Sequence, residues 1–169
     1  MGTRANIKLT QNVKMYNKEN GTKDRPLSIW LYHHWDGYLS GLGAELQAFM
    51  IWYYQQPNNF RHYIEDVATA LVKGKFKDNM ANRTDIPPSE GDDGFEITTG
   101  QHGDIEYLYT IKEYWGKRGI TRVTLEAHCL YANVKGTLVD VDLTGDKPIV
   151  TIPTSWKELE DLEEATSDL

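Results

Sequence analysis

Apolar and polar positions along this chain follow two different periods. Over 5–10 and 13–16 apolar side chains alternate with polar ones, a spacing of two that predicts two short strand pieces. The polar stretch from Asn17 to Pro26 comes next, and its Asn20-Gly21 pair is a strong turn signal, so a hairpin is expected there. Within 28–35, Ile29 and Leu31 fall on one side and Trp30 and Tyr32 on the other, which predicts a central strand covered on both faces. The period then lengthens. Leu42, Leu46, Phe49, Met50 and Tyr53 line one face of a strongly amphipathic helix that stops before Pro57. A second helix starts near Asn58 or Asn59, either able to cap it, and carries Phe60, Ile64, Val67, Ala68 and Leu71 up to Gly74. The two form an αα-hairpin.

Residues 77–94 hold Asn79, Asn82, Pro87, Pro88, Gly91, Asp92, Asp93 and Gly94 with little periodic pattern, so this long connection is expected to be mobile or functional, for instance a flap over a site. From Phe95 the period returns to two, through segments near 95–99, 104–112, 121–131, 134–143 and 148–152 separated by turn residues, which reads as an antiparallel meander. Ser155 and Glu158 have the spacing of a capping box, and a last helix from 156 would dock through Trp156, Leu159 and Leu162. The predicted class is α+β: a mainly antiparallel sheet with the αα-hairpin packed on one face and a C-terminal helix. One domain spans 1–154, and 155–169 forms an acidic C-terminal helix and tail.

Composition narrows the functional classes. With 169 residues, 40% of them hydrophobic, the chain can build one core. No apolar run approaches the roughly eighteen residues of a membrane span, and no apolar signal segment follows Arg4 and Lys8, so a cytoplasmic protein is expected. Cys129 is the single cysteine, which excludes an internal disulfide and every multi-cysteine zinc pattern and reads as a small buried thiol. The net charge of −7 is concentrated at one end: without the last thirteen residues the chain holds 17 basic and 19 acidic side chains. A body so nearly neutral lacks the basic excess of a phosphate-backbone binder, and nucleic acid is not an expected partner.

The candidate chemistry gathers in Tyr32-His33-His34-Trp35-Asp36-Gly37-Tyr38, which closes a strand and opens, through Gly41 and Gly43, into a helix. Free amide groups at the helix start near 40–43 would favour an anion, and the glycines would permit its close approach. Tyr32, Trp35 and Tyr38 are suited to stacking on a base, and Arg4, His33 or His34 to offsetting phosphate charge. Alternatively the aromatics fill core, Asp36 caps the turn and the glycines only shape the bend. His33 and His34 point to opposite faces of a strand and cannot share a metal; His34 with Asp36 is an incomplete ligand set, so neither a metal nor a cofactor is expected. As a catalytic pair, His34 and Asp36 would still need a nucleophile or an activated water.

Met1-Gly2-Thr3-Arg4, the element Tyr32–Tyr38 with Gly41 and Gly43, and the strand Asp104–Ile111 together resemble a family of small phage-encoded proteins. In that family an MGTR start precedes a strand ending in an aromatic-Asp-Gly-Tyr element and a Gly-x-Gly helix start. The likeness covers the first forty-odd residues and the later strand, and leaves the middle and tail unmatched. By analogy with phage anti-defence proteins such as the Thoeris sponges, it implies sequestration of a nucleotide-derived immune signal, often by a homo-oligomer, in the cytoplasm of the host cell. The alternatives are a small phosphodiesterase-like hydrolase using His34 and Asp36, and an inhibitor that binds a host factor through its acidic end or its aromatics. The segments Trp52-Tyr53-Tyr54, Tyr107-Leu108-Tyr109 and Tyr114-Trp115 are candidates for the contact between copies.

Overall fold

A computed structural model describes residues 3–17, 21–55, 63–73, 95–116 and 119–167. The element order is β1 (Ala5–Asn17), β2 (Gly21–His33), a π-helical turn (Leu39–Gly43), α1 (Ala44–Tyr54), α2 (Ile64–Lys73), β3 (Glu96–Thr98), β4 (Tyr107–Gly116), β5 (Gly119–Cys129), β6 (Val134–Asp142), β7 (Ile149–Thr151) and α3 (Trp156–Ser167). The strands form one sheet in the order β3-β2-β1-β4-β5-β6-β7. Among the described residues every pairing is antiparallel except that of β1 with β4. The class is α+β, as the two periods predict.

Several expectations change in detail. The two pieces over 5–10 and 13–16 are one thirteen-residue strand, and the polar residues from Gly21 to Pro26 are strand too, because β1 and β2 stay in register from Ala5↔His33 to Asn17↔Gly21; residues 18–20, with the first half of the expected Asn20-Gly21 turn, lie outside the described residues. Continuous ladder bonding outweighs the weak β-propensity of those side chains. The strand ends at His33, two residues before the predicted end, and lies second from the sheet edge; the middle position belongs to β4. The meander holds from β4 to β7, but β3 pairs with β2 across Trp30↔Thr98 and so leaves it. Residues 56–62, which include the expected start of the second helix and the link of the αα-hairpin, and the suggested flap at 77–94 lie outside the described residues.

One face of the sheet makes the core. In β4 the buried Tyr107, Tyr109, Ile111 and Glu113 alternate with half-buried Leu108, Thr110, Lys112 and Tyr114. Register places Ala5, Ile7, Leu9 and Gln11 of β1 beside the buried set. α2 packs on β1 and β2, α1 on β5 and β6, and α3 on β6 and the π-helical turn. α1 is buried around most of its circumference, including Glu45 and Gln47, and the Gln47 Nε2 donates to the Leu138 carbonyl at 2.9 Å. It is thus less one-sided than its apolar stripe suggests.

α3 begins where the capping signal places it: the Ser155 Oγ accepts from the Glu158 amide at 3.1 Å. Its docking differs from expectation. Leu159 is buried over Gly136, where a Cβ would meet the leucine methyls, and Trp156 packs at the margin, whereas Leu162 is exposed. The second buried contact is Glu163, four residues and one turn beyond Leu159, where period 3.6 returns the same face. Replacing Ser155 with alanine should lower unfolding free energy by about 1 kcal/mol, read as a shift in the urea midpoint at unchanged slope.

Candidate functional site

The bend after β2 is held by backbone. Asp36 takes a left-handed φ of 53°, and this turns the chain so that the Gly37 amide donates to the Thr3 carbonyl at 2.9 Å while its own carbonyl accepts from the Tyr109 hydroxyl at 2.7 Å. The Asp36 carbonyl accepts from Leu42 at 2.7 Å, and the Tyr38 carbonyl from Gly41 at 3.0 Å and Gly43 at 3.3 Å. The amides expected to be open to an anion near 40–43 are therefore bonded to the chain itself at 41, 42 and 43. A π-helical start curls those carbonyls back over the helix end, which is how the orphan donors of this terminus are satisfied.

The glycines act in that geometry. A Cβ on Gly41 would press into the Asp36 carbonyl, and one on Gly37 would lie 2.9 Å from both Ala5 Cβ and the Thr3 carbonyl. One on Gly43 would stand 3.3 Å from the Tyr109 hydroxyl. The Asp36 Oδ1 accepts from the Tyr38 hydroxyl at 2.9 Å.

Strand alternation divides the remaining candidates. His33 is buried on the core face beside Ala5, with its ring 4.9 Å from Phe95, so it faces away from any ligand on the opposite side. Tyr32 and His34 lie on that opposite side. There the Tyr32 ring is almost fully covered, met edge-on by His34 at 4.5 Å and stacked on His102 at 4.1 Å. Its hydroxyl donates to Asp104 Oδ2 at 3.3 Å, the same oxygen that accepts from Arg4 Nη1 at 3.0 Å. Burial first, and then the charge of Asp104, push the Tyr32 phenol above its ordinary acidity range.

Three members of this cluster were not among the candidate site residues: Glu96, His102 and Asp104. Glu96 Oε1 is 3.4 Å from His34 Nε2, so the carboxylate beside His34 comes from β3. His102 is fixed by its amide donating to Asn6 Oδ1 at 2.7 Å and by its Nε2 lying 2.9 Å from Thr98 Oγ1. Only the parallel β1–β4 pairing brings Arg4 to Asp104, a hundred residues away, and no local signal reports it.

The exposed rim of the site is Trp35, at 44%, with Tyr38, at 37%, and the half-exposed His34 and Arg4. Among the described residues no three His, Cys, Asp or Glu side chains are grouped to hold a metal ion. Cys129 is fully buried and burial pushes its thiol up, away from the thiolate a nucleophile needs. His128 is a sheet residue bonded to Asn133 at 3.2 Å. Of the aromatic segments, Tyr53, Tyr54, Tyr107 and Tyr109 are core, Trp115 stacks on Tyr63, and Tyr114 lies beneath Lys112 and Arg122.

Two recesses open elsewhere. One of about 490 Å³ runs along the exposed sheet face past Arg122, Asp140, Asp142 and Thr151, where Arg122 is bound bidentately by Asp140 at 2.9 and 2.6 Å. The other, of about 290 Å³, is largely apolar and lies between α2 and the β2–β3 edge. No helix among the described residues is long and apolar enough to cross a membrane. Comparison with protein-family models, with curated proteins and with solved structures finds no match for this chain.

Proposed function

We propose that this is a phage-type binding protein that sequesters a phosphorylated or cyclic nucleotide immune signal at the rim formed by Arg4, His34, Trp35 and Tyr38, and leaves the ligand intact. The observation that carries this reading is the exposure of Trp35 and Tyr38, which follow in the chain directly after the ordered imidazole–phenol stack of Tyr32, His34 and His102. An indole with nearly half its surface in water offers a sequence-tolerant platform for a base, worth about 1–3 kcal/mol per stacked base. Arg4 supplies charge. Asp104 occupies one of its five N–H donors, and the others remain available to a phosphate. Glu96 and Asp104 are acceptors suited to the amino groups of a base. Binding is favoured over turnover because His34 pairs with Glu96 of β3 while Asp36 accepts from Tyr38, so the two do not form a hydrogen-bonded acid–base pair with each other. In this reading the protein works as a homo-oligomer in the host cytoplasm, and an αα-hairpin of α1 and α2 backs the sheet behind the site.

The test is to incubate the protein with mono-, di- and cyclic nucleotides, wash it, release ligand by heat and identify it by chromatography. Unchanged nucleotide should be recovered. Trp35→Ala should weaken retention at least about tenfold, and Arg4→Ala should remove much of its salt dependence. Retention of no nucleotide overturns the proposal, and recovery of a cleaved one replaces it with the hydrolase.

A further inference from the structure

Beneath α1 and α2, at the parallel seam of the sheet, lies a polar pair in which one oxygen of each side chain has no donor within bonding distance among the described residues. Glu113 of β4 is fully buried, and Gln11 of β1, its register partner on the same face, is 95% buried. Among the described residues Glu113 Oε1 and Gln11 Oε1 both lack a hydrogen-bond partner. The other carboxylate oxygen of Glu113 receives only a long bond from Trp115 Nε1, at 3.4 Å. Two acceptors at paired register positions in the interior have lost their water, so a charged Glu113 would be severely disfavoured there.

One proton resolves both deficits. We infer that Glu113 is carried as the neutral acid, that its O–H donates to the Gln11 carboxamide oxygen, and that this bond forms a proton-dependent latch between β1 and β4 under the two helices. The surroundings agree. The titratable groups facing Glu113 among the described residues are Tyr53 and Tyr54 of α1 and Glu65 and Asp66 of α2, and its β5 neighbour is Val123. None of them is a cation. Burial, reinforced by the charges of Glu65 and Asp66, raises the Glu113 carboxyl to about 8.

The direction of the pH effect follows from linkage. A carboxyl with a raised value in the fold binds its proton more tightly there than in the unfolded chain. Its stabilisation is fully present below the ordinary carboxyl range, near 4.5, and is lost as pH rises towards about 8. The latch therefore opens in mildly alkaline solution, and what it releases is the seam supporting α2.

Two measurements on the full chain test this. In the first, the side-chain carboxyl carbon of Glu113 is followed by NMR as pH rises; titration near 8 is expected, and titration between 4 and 5 overturns the inference. In the second, thermal midpoints of wild type and Glu113→Gln are compared from pH 5 to pH 8.5. The variant's carboxamide can donate to Gln11 at every pH. Its midpoint relative to wild type should therefore rise across the window by roughly 10 °C. A difference that stays constant with pH overturns the latch. Should the variant fail to fold, the wild-type carboxyl titration decides alone.

Discussion

Gly41→Ala is expected to destabilise the protein by about 3 kcal/mol or more, lowering the thermal midpoint by roughly 6–12 °C. The added methyl would meet the Asp36 carbonyl and approach Asp36 Cβ and the Tyr38 ring, and two of these three are not free to move. The Asp36 carbonyl is tied to the Leu42 amide, and Asp36 itself holds the left-handed turn that seats Gly37 against Thr3. Relief would require opening the bend and thus the start of α1. Gly43→Ala is the internal comparison: its methyl would meet a tyrosine hydroxyl at 3.3 Å, so a smaller loss is expected. Differential scanning fluorimetry of the two variants side by side is sufficient. Equal, small shifts would show that the bend yields and that Gly41 serves something other than packing.

Glu163→Ala should be nearly as damaging, with a loss of about 3 kcal/mol. Glu163 Oε1 accepts from the buried Tyr107 hydroxyl at 2.6 Å and from the Tyr131 hydroxyl, so the substitution strands a buried phenol and severs the polar anchor of α3 together. Burial, followed by the bonds to Glu163, raises the pKa of both phenols well above the ordinary value, which keeps them protonated as donors. Glu163→Gln retains an acceptor oxygen and should lose less. The check pairs a melting curve with limited proteolysis: in Glu163→Ala, cleavage near residue 155 should accelerate before global unfolding. Persistent protection there would mean that Leu159 alone holds the helix. The same contact bears on truncation, since deleting 155–169 would uncover Leu159's seat over Gly136 as well as remove acidic charge.

What could be read in advance was what depends on neighbours in sequence. The period of two marks β4 to β6, the stripe of Ile64, Val67, Ala68 and Leu71 marks α2, and Ser155 marks the start of α3. The polar half of the β1–β2 hairpin was obscured because ladder bonds, which any residue but proline can make, hold it without an apolar pattern. Glu163 was obscured differently. It sits in a run of acids that pattern alone assigns to solvent, and Tyr107 of β4 and Tyr131 of the β5–β6 turn, distant in sequence, make its burial tolerable. The site shows the same division: the residues at its rim are contiguous and visible, while Glu96, His102 and Asp104 arrive by strand pairing.

The parallel pairing of β1 with β4 has a consequence for how the molecule is made. During synthesis β1 and β2 can zip into a ribbon early, but the second edge of β1 has no mate until β4 emerges, whose residues lie about a hundred positions beyond their β1 partners. That edge holds Ile7 and Leu9, which must wait in a half-built sheet. Closing so long a loop places this chain among slow folders for its size, and its most hazardous interval falls before the middle strand exists.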